Sequence, residues 1–178
     1  MGIIAGELTD DSPLVIVEIS ISSLAEQSLP AECKALVDTG ANWSWITDEL
    51  AGEAGILDTP RIPVEEFGLS PVTYDASGPR EADAYAARIT IGDTVVRTLL
   101  YTGLHTPPNA TYKALLGCAV LWSGRFEYDG MSDPRRFTLE FPSGEIYPGG
   151  ESGLTVGPLS RKMDGAFCSR RSRKSVSV

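Results

Sequence analysis

The residue best placed for chemistry in this 178-residue chain is Asp38, set in Ala35-Leu36-Val37-Asp38-Thr39-Gly40-Ala41. An apolar strand runs straight into the carboxylate, and small residues follow it. A buried strand would thus deliver an acid or base into a tight turn, where it can take up or release a proton during a reaction. At average residue frequencies a bare Asp-Thr-Gly arises by accident in about one chain in thirty of this length. Requiring the apolar approach and the small residue at Ala41 lowers that rate roughly another fiftyfold. The ordinary alternative is an Asp that closes a strand-ending turn by bonding to its own loop.

Other reactive residues lack comparable surroundings. Asp58-Thr59 runs into Pro60, and Asp75-Ala76-Ser77-Gly78 has no apolar strand before it. His105, the single histidine, follows Gly103-Leu104 and precedes two prolines, which reads as a loop, and no Gly-x-Ser-x-Gly turn accompanies it. Cys33, Cys118, Cys168 and His105 have no paired spacing of the kind zinc sites use. Phosphate-binding and dinucleotide fingerprints are absent. The expectation is therefore chemistry without metal or cofactor.

The segment around Asp38 resembles the retroviral-type (retropepsin-like) aspartic protease family, in a bacterial single-domain form, whose hallmark is an apolar pair, Asp-Thr-Gly, and Ala or Ser. Ser44, Ile46 and the stretch from Asp48 to Gly55 resemble the region that follows that loop. Leu115-Leu116-Gly117 is similar to the family's second hallmark, two apolar residues and Gly ahead of a helix. Gly124-Arg125-Phe126 through Leu139 resembles the closing strands, so the likeness spans roughly residues 12 to 147. It departs after Gly117, where Cys118 and Ala119 stand in place of the usual polar residues.

This resemblance implies an all-β, closed barrel-like acid protease domain with one or two short helices, working as a homodimer on extended polypeptide. Peptide hydrolysis by this route needs two carboxylates about 3 Å apart that share one proton. The chain has one suitable Asp-Thr-Gly, so the second Asp38 must come from an identical chain across a two-fold axis. The resemblance gives Thr39 a hydrogen bond across that axis. Gly40 permits close backbone approach, and Ala41 leaves the cleft open. Leu115, Leu116 and Gly117 lie behind the loop. A flap is expected within Val72 to Ala86, with Val72, Tyr74, Ser77 and Gly78 near substrate and Ser77-Gly78 near its tip. A shared proton also implies a bell-shaped pH profile on the acidic side. An alternative reading keeps the same fold as a dimerisation or peptide-binding module without hydrolysis, and a third makes the motif a coincidence in an unrelated β-sandwich.

Local patterns supply the elements that must position Asp38. Val15, Val17, Ile19 and Ile21 alternate with Glu18 and Ser20, the period of a half-buried strand. With Cys33–Val37 it makes a hairpin. Trp43 to Ile46 is strand-like, and Thr47 can cap a short helix ended by Gly55, with Leu50, Ala51 and Ala54 facing inward. Residues 64 to 88 outline one long hairpin. Gly92-Asp93 can turn between Ile89–Ile91 and Thr94–Tyr101. Cys118 to Trp122 is apolar and ambiguous between strand and helix, while Phe126–Tyr128 and Phe137–Phe141 suggest a last hairpin. Trp43 and Trp45 read as packing residues, one of which could line a subsite.

Composition fits one globular domain, with 42% hydrophobic and 22% charged residues. The domain is expected over residues 1–148, followed by a Gly/Ser/Arg-rich, mobile tail over 149–178. Through residue 160 there are nine Lys/Arg against 23 Asp/Glu, a net −14, and from 161 onward six against one, a net +5. An acidic body argues against nucleic acid as partner. No apolar run is long enough for a membrane span. The start of the chain lacks a basic leader and, with Gly6, the myristoylation pattern. Three scattered cysteines suit reduced thiols, so a cytoplasmic location is expected.

Overall fold

A computed structural model of the chain describes residues 2–8, 14–25, 28–67, 72–75 and 78–147. Its centre is a closed barrel of six strands: β2 (Ile16–Ser23), β3 (Ala31–Val37), β4 (Ser44–Ile46), β7 (Ala84–Ile91), β8 (Thr94–Tyr101) and β9 (Ala114–Leu116). Around the ring the order is β2, β3, β9, β4, β8, β7 and back to β2. β3 and β9 run parallel, as do β4 and β8. A short strand β12 (Gly144–Ile146) joins the first half of β8, leaving the second half to β4. Closure removes the open edges that a sheet otherwise exposes.

Alternation does the folding work. In β2, Val17, Ile19 and Ile21 are buried while Glu18 is exposed. In β7 and β8, Ala87, Ile89, Ile91, Val96 and Leu100 meet them inside the barrel. Each of the Val, Leu and Ile side chains contributes about 1.5–3 kcal/mol on leaving water. Gly92 turns the chain between β7 and β8 at φ +56°, a left-handed conformation that costs a glycine nothing, so Ile91 pairs directly with Thr94.

The helix α1 (Asp48–Glu53) forms where its capping signals stand. Thr47 Oγ1 accepts the Leu50 N–H at 3.3 Å, and Asp48 and Glu49 occupy the first turn, where negative charge is favourable. Leu50, Ala51 and Ala54 are fully buried. On its outer side Lys113 Nζ reaches both Glu49 (3.1 Å) and Glu53 (3.4 Å), tying the helix to the strand β9 that follows Lys113. Cys118–Trp122 resolves as a second short helix, α2 (Cys118–Leu121), because Gly117 leaves β9 extended and Val120 and Leu121 turn into the core. No helix among the described residues is long and apolar enough to cross a membrane.

Three features depart from the expectation. Residues 64 to 88 are not one hairpin: a 3-10 helix, Val64–Phe67, precedes a small two-stranded sheet, β5 (Val72–Asp75) with β6 (Gly78–Glu81), and β7 then leaves for the barrel. The chain is redirected at Asp83, whose carbonyl accepts the Thr102 N–H at 2.9 Å and whose carboxylate meets Arg61 Nε at 2.8 Å, while Ile62 bridges to Ala84. A first strand β1 (Gly2–Leu8) pairs with β11 (Arg135–Phe141), which also pairs with β10 (Arg125–Asp129). The hairpin of β10 and β11 is therefore present but is not the last element, since β12 follows it. The tail 149–178 lies outside the described residues.

Candidate active site

Asp38 is the first residue past β3, and the chain is held on both sides up to that point. The Val37 N–H donates to the Val15 carbonyl at 2.9 Å, and the Asp38 N–H donates to the Leu116 carbonyl at 3.0 Å. The side chain is half-buried, whereas Thr39 and Gly40 are exposed. Within the turn, the Gly40 N–H donates to Asp38 Oδ1 at 2.8 Å and the Ala41 N–H to the Asp38 carbonyl at 3.3 Å. A Cβ on Gly40 would sit 3.2 Å from that same Oδ1, so glycine lets the amide come close to the carboxylate. Among the described residues, hydrogen bonds engage only the Oδ1 oxygen.

The loop from Asp38 to Trp43 straddles the end of β9. Strand β3 enters it alongside β9 in parallel register, with Leu36 opposite Leu115 and Val37 opposite Leu116. Strand β4 leaves it on the other side of β9, antiparallel, with Trp45 opposite Leu115. Gly117 then lies directly beneath the loop. Its N–H donates to Ser44 Oγ at 3.0 Å in a fully buried bond, and its Cα faces the Ala41 and Trp43 carbonyls. Leu115, Leu116 and Gly117 thus come together with Asp38, Thr39, Gly40 and Ala41.

Three loop carbonyls meet the start of α2. The Cys118 N–H donates to the Ala41 oxygen at 2.8 Å and the Ala119 N–H to the Asn42 oxygen at 3.0 Å. The Cys118 thiol reaches the Thr39 oxygen at 3.2 Å. Where the resemblance led to polar side chains at 118 and 119, this chain meets the loop with two main-chain amides and a thiol. That support was not foreseen, and nothing local in the sequence signals it.

Behind the loop the aromatic residues pack as a unit. Tyr101 is fully buried, with its ring centroid 5.6 Å from that of Trp43 and 5.3 Å from that of Trp45. Val64, Ala82 and Ala84 complete this second cluster, with Ile62 and Leu99 at its margin. The Tyr101 hydroxyl has no hydrogen-bond partner among the described residues, and burial pushes its pKa up. Trp43 and Trp45 are half-buried packing residues, as expected.

Three of the four expected flap residues fall on the small sheet. Val72 and Tyr74 belong to β5 and Gly78 to β6, with Asp75 opposite Gly78; Ser77 lies outside the described residues. These strands pair only with each other among the described residues. His105 is an exposed loop residue. Cys33, on β3 beside Glu32, has its thiol pushed up to about 12, first by burial and then by that carboxylate.

No protein-family model matches the sequence, and no curated protein matches it. Among solved structures the chain is similar to a retropepsin-like aspartic protease from Rickettsia conorii. The two share 18% identity with a TM-score of 0.50, over 80% of this chain and 91% of the other. The fold is therefore retropepsin-like, and an unrelated β-sandwich is excluded.

Proposed function

We propose that the chain is an aspartic endopeptidase whose active form is a homodimer, with Asp38 of each copy sharing one proton. What carries this reading is the setting of Asp38: its carboxylate stands at the mouth of a loop locked from behind by Gly117 and α2, while Thr39 and Gly40 in front are exposed. The Gly40 amide orients Oδ1, which leaves Oδ2 for a water or a shared proton. The retropepsin-like fold supports the same assignment.

In the proposed reaction the ionised carboxylate takes a proton from a bound water as its oxygen attacks the peptide carbonyl carbon. The protonated partner gives its proton to the carbonyl oxygen. Collapse of the tetrahedral intermediate breaks the C–N bond: the leaving nitrogen takes the proton that came from water, and one hydroxyl of the intermediate returns its proton to the other carboxylate as the carbonyl reforms, which restores the shared proton. Extended peptide would lie beside the β5–β6 hairpin as an added strand, with Val72, Tyr74, Ser77 and Gly78 as the contacts proposed.

The test is incubation of the wild-type chain and Asp38→Asn with a diverse peptide library from acidic to neutral pH, with products read by mass spectrometry. Wild-type cleavage falling to background in a folded Asp38→Asn supports the assignment. Equal cleavage by both removes Asp38 from the mechanism. Peptide binding with no cleavage at any pH makes the chain a binding module of the same fold.

A further inference from the structure

The thiol of Cys118 and the carboxylate of Asp38 meet opposite ends of one peptide group. Cys118 Sγ lies 3.2 Å from the Thr39 carbonyl oxygen, and the Gly40 N–H of that same peptide donates to Asp38 Oδ1 at 2.8 Å. The bond between Thr39 and Gly40 is trans, so its C=O and N–H point in opposite directions. A donor on the oxygen therefore sets the tilt of the plane and aims the amide at the carboxylate. Hydrogen bonds in such a chain also polarise one another, making the N–H a better donor.

We infer that Cys118 is a positioning residue for Asp38, acting through the Thr39–Gly40 peptide by the relay Sγ–H···O=C–N–H···Oδ1. The other two contacts between α2 and the loop come from main-chain amides and would survive any side-chain change at this position. Of these three hydrogen bonds, the thiol's is the one that the side chain supplies. A thiol is a weak donor, so the effect is modest, and a hydroxyl in its place is a stronger one. As a statement about catalysis, the inference rests on the proposed protease activity. As a statement about geometry it stands apart from it.

The experiment compares full-length wild type with Cys118→Ala, Cys118→Val and Cys118→Ser. Alanine leaves a gap and valine fills it, so a packing effect separates these two, whereas the lost donor is common to both. In NMR spectra the Gly40 amide proton and the Thr39 carbonyl carbon should both move upfield in Ala and Val and return to or pass the wild-type position in Ser. In peptide cleavage, kcat should fall about three- to tenfold in Ala and Val with KM unchanged, and Ser should recover it. Folded Ala and Val proteins with wild-type Gly40 and Thr39 signals overturn the relay. So does a Ser variant whose Gly40 amide moves upfield. If the wild type cleaves no peptide yet the NMR pattern holds, the protease reading fails and the positioning role remains.

Discussion

A side chain at Gly117 and the carbonyl oxygen of Trp43 would need the same space: the position of a Cβ lies 2.2 Å from that oxygen and 2.9 Å from the Ala41 oxygen. Both obstacles are main chain, and both belong to the loop that carries Asp38. Gly117 is therefore a contact surface, on which the loop rests with no intervening atom.

Gly117→Ala should be strongly destabilising, by about 3 kcal/mol or more, since neither the loop nor β9 can yield without breaking its ladder. In thermal unfolding this appears as a Tm lower by roughly 6 to 12 °C for a chain of this size. Gly52→Ala is the matched control. Gly52 lies within α1, where a Cβ meets nothing within 4 Å, so alanine there should be neutral or stabilising by about 0.5–1 kcal/mol. Equal melting temperatures for the two variants would mean that the close approach at Gly117 imposes nothing.

Much of this architecture could be read from local pattern, and the remainder could not, for reasons that particular residues make plain. The turn at Gly92-Asp93, the cap at Thr47 and the strand ending at Asp38 each depend on residues a few positions apart. The pairing of β3 with β9 does not, because Val37 and Leu116 meet through a parallel register that no neighbouring residue announces. β1 escaped for a similar reason: Gly2, Ala5 and Gly6 blur its alternation, and its partner β11 lies at the other end of the domain. At the candidate site, the closeness of the Asp38 loop to Gly117 follows two short sequence patterns. The contact of the Cys118 thiol follows none, because its acceptor is 79 residues away and any donor of suitable length could have served.

Cys33 should resist alkylation in the folded protein and react once unfolded. With its thiol pushed up to about 12, the thiolate at pH 8 is on the order of one molecule in ten thousand, and the thiolate is the reactive form. Treatment with iodoacetamide at that pH, followed by peptide mass mapping, should leave Cys33 unmodified in native protein and fully modified in urea. The same displacement carries a sign for stability. The folded state holds this proton more tightly than the unfolded state, whose thiol keeps the ordinary value of 9.0. The contribution of Cys33 is thus independent of pH below about 9 and becomes increasingly destabilising as pH rises from there toward 12. Rapid native labelling of Cys33 would contradict its burial on β3.

The proposed dyad of two Asp38 copies would make activity a property of pairs, which mixing can expose. Wild-type chain combined with an equal amount of Asp38→Asn, and given time to exchange partners, should distribute at random, because the substitution is nearly isosteric. Only about a quarter of the dimers would then hold two carboxylates, against half had the wild-type chains paired among themselves, so the activity per wild-type chain should fall to about half. Excess Asp38→Asn should drive it further down, and dilution of wild type alone below its dimer dissociation constant should lower specific activity in step with the dimer measured by sedimentation. Cleavage that stays proportional to wild-type chain through both mixing and dilution would show each copy working alone, and the shared-proton mechanism would have to be abandoned.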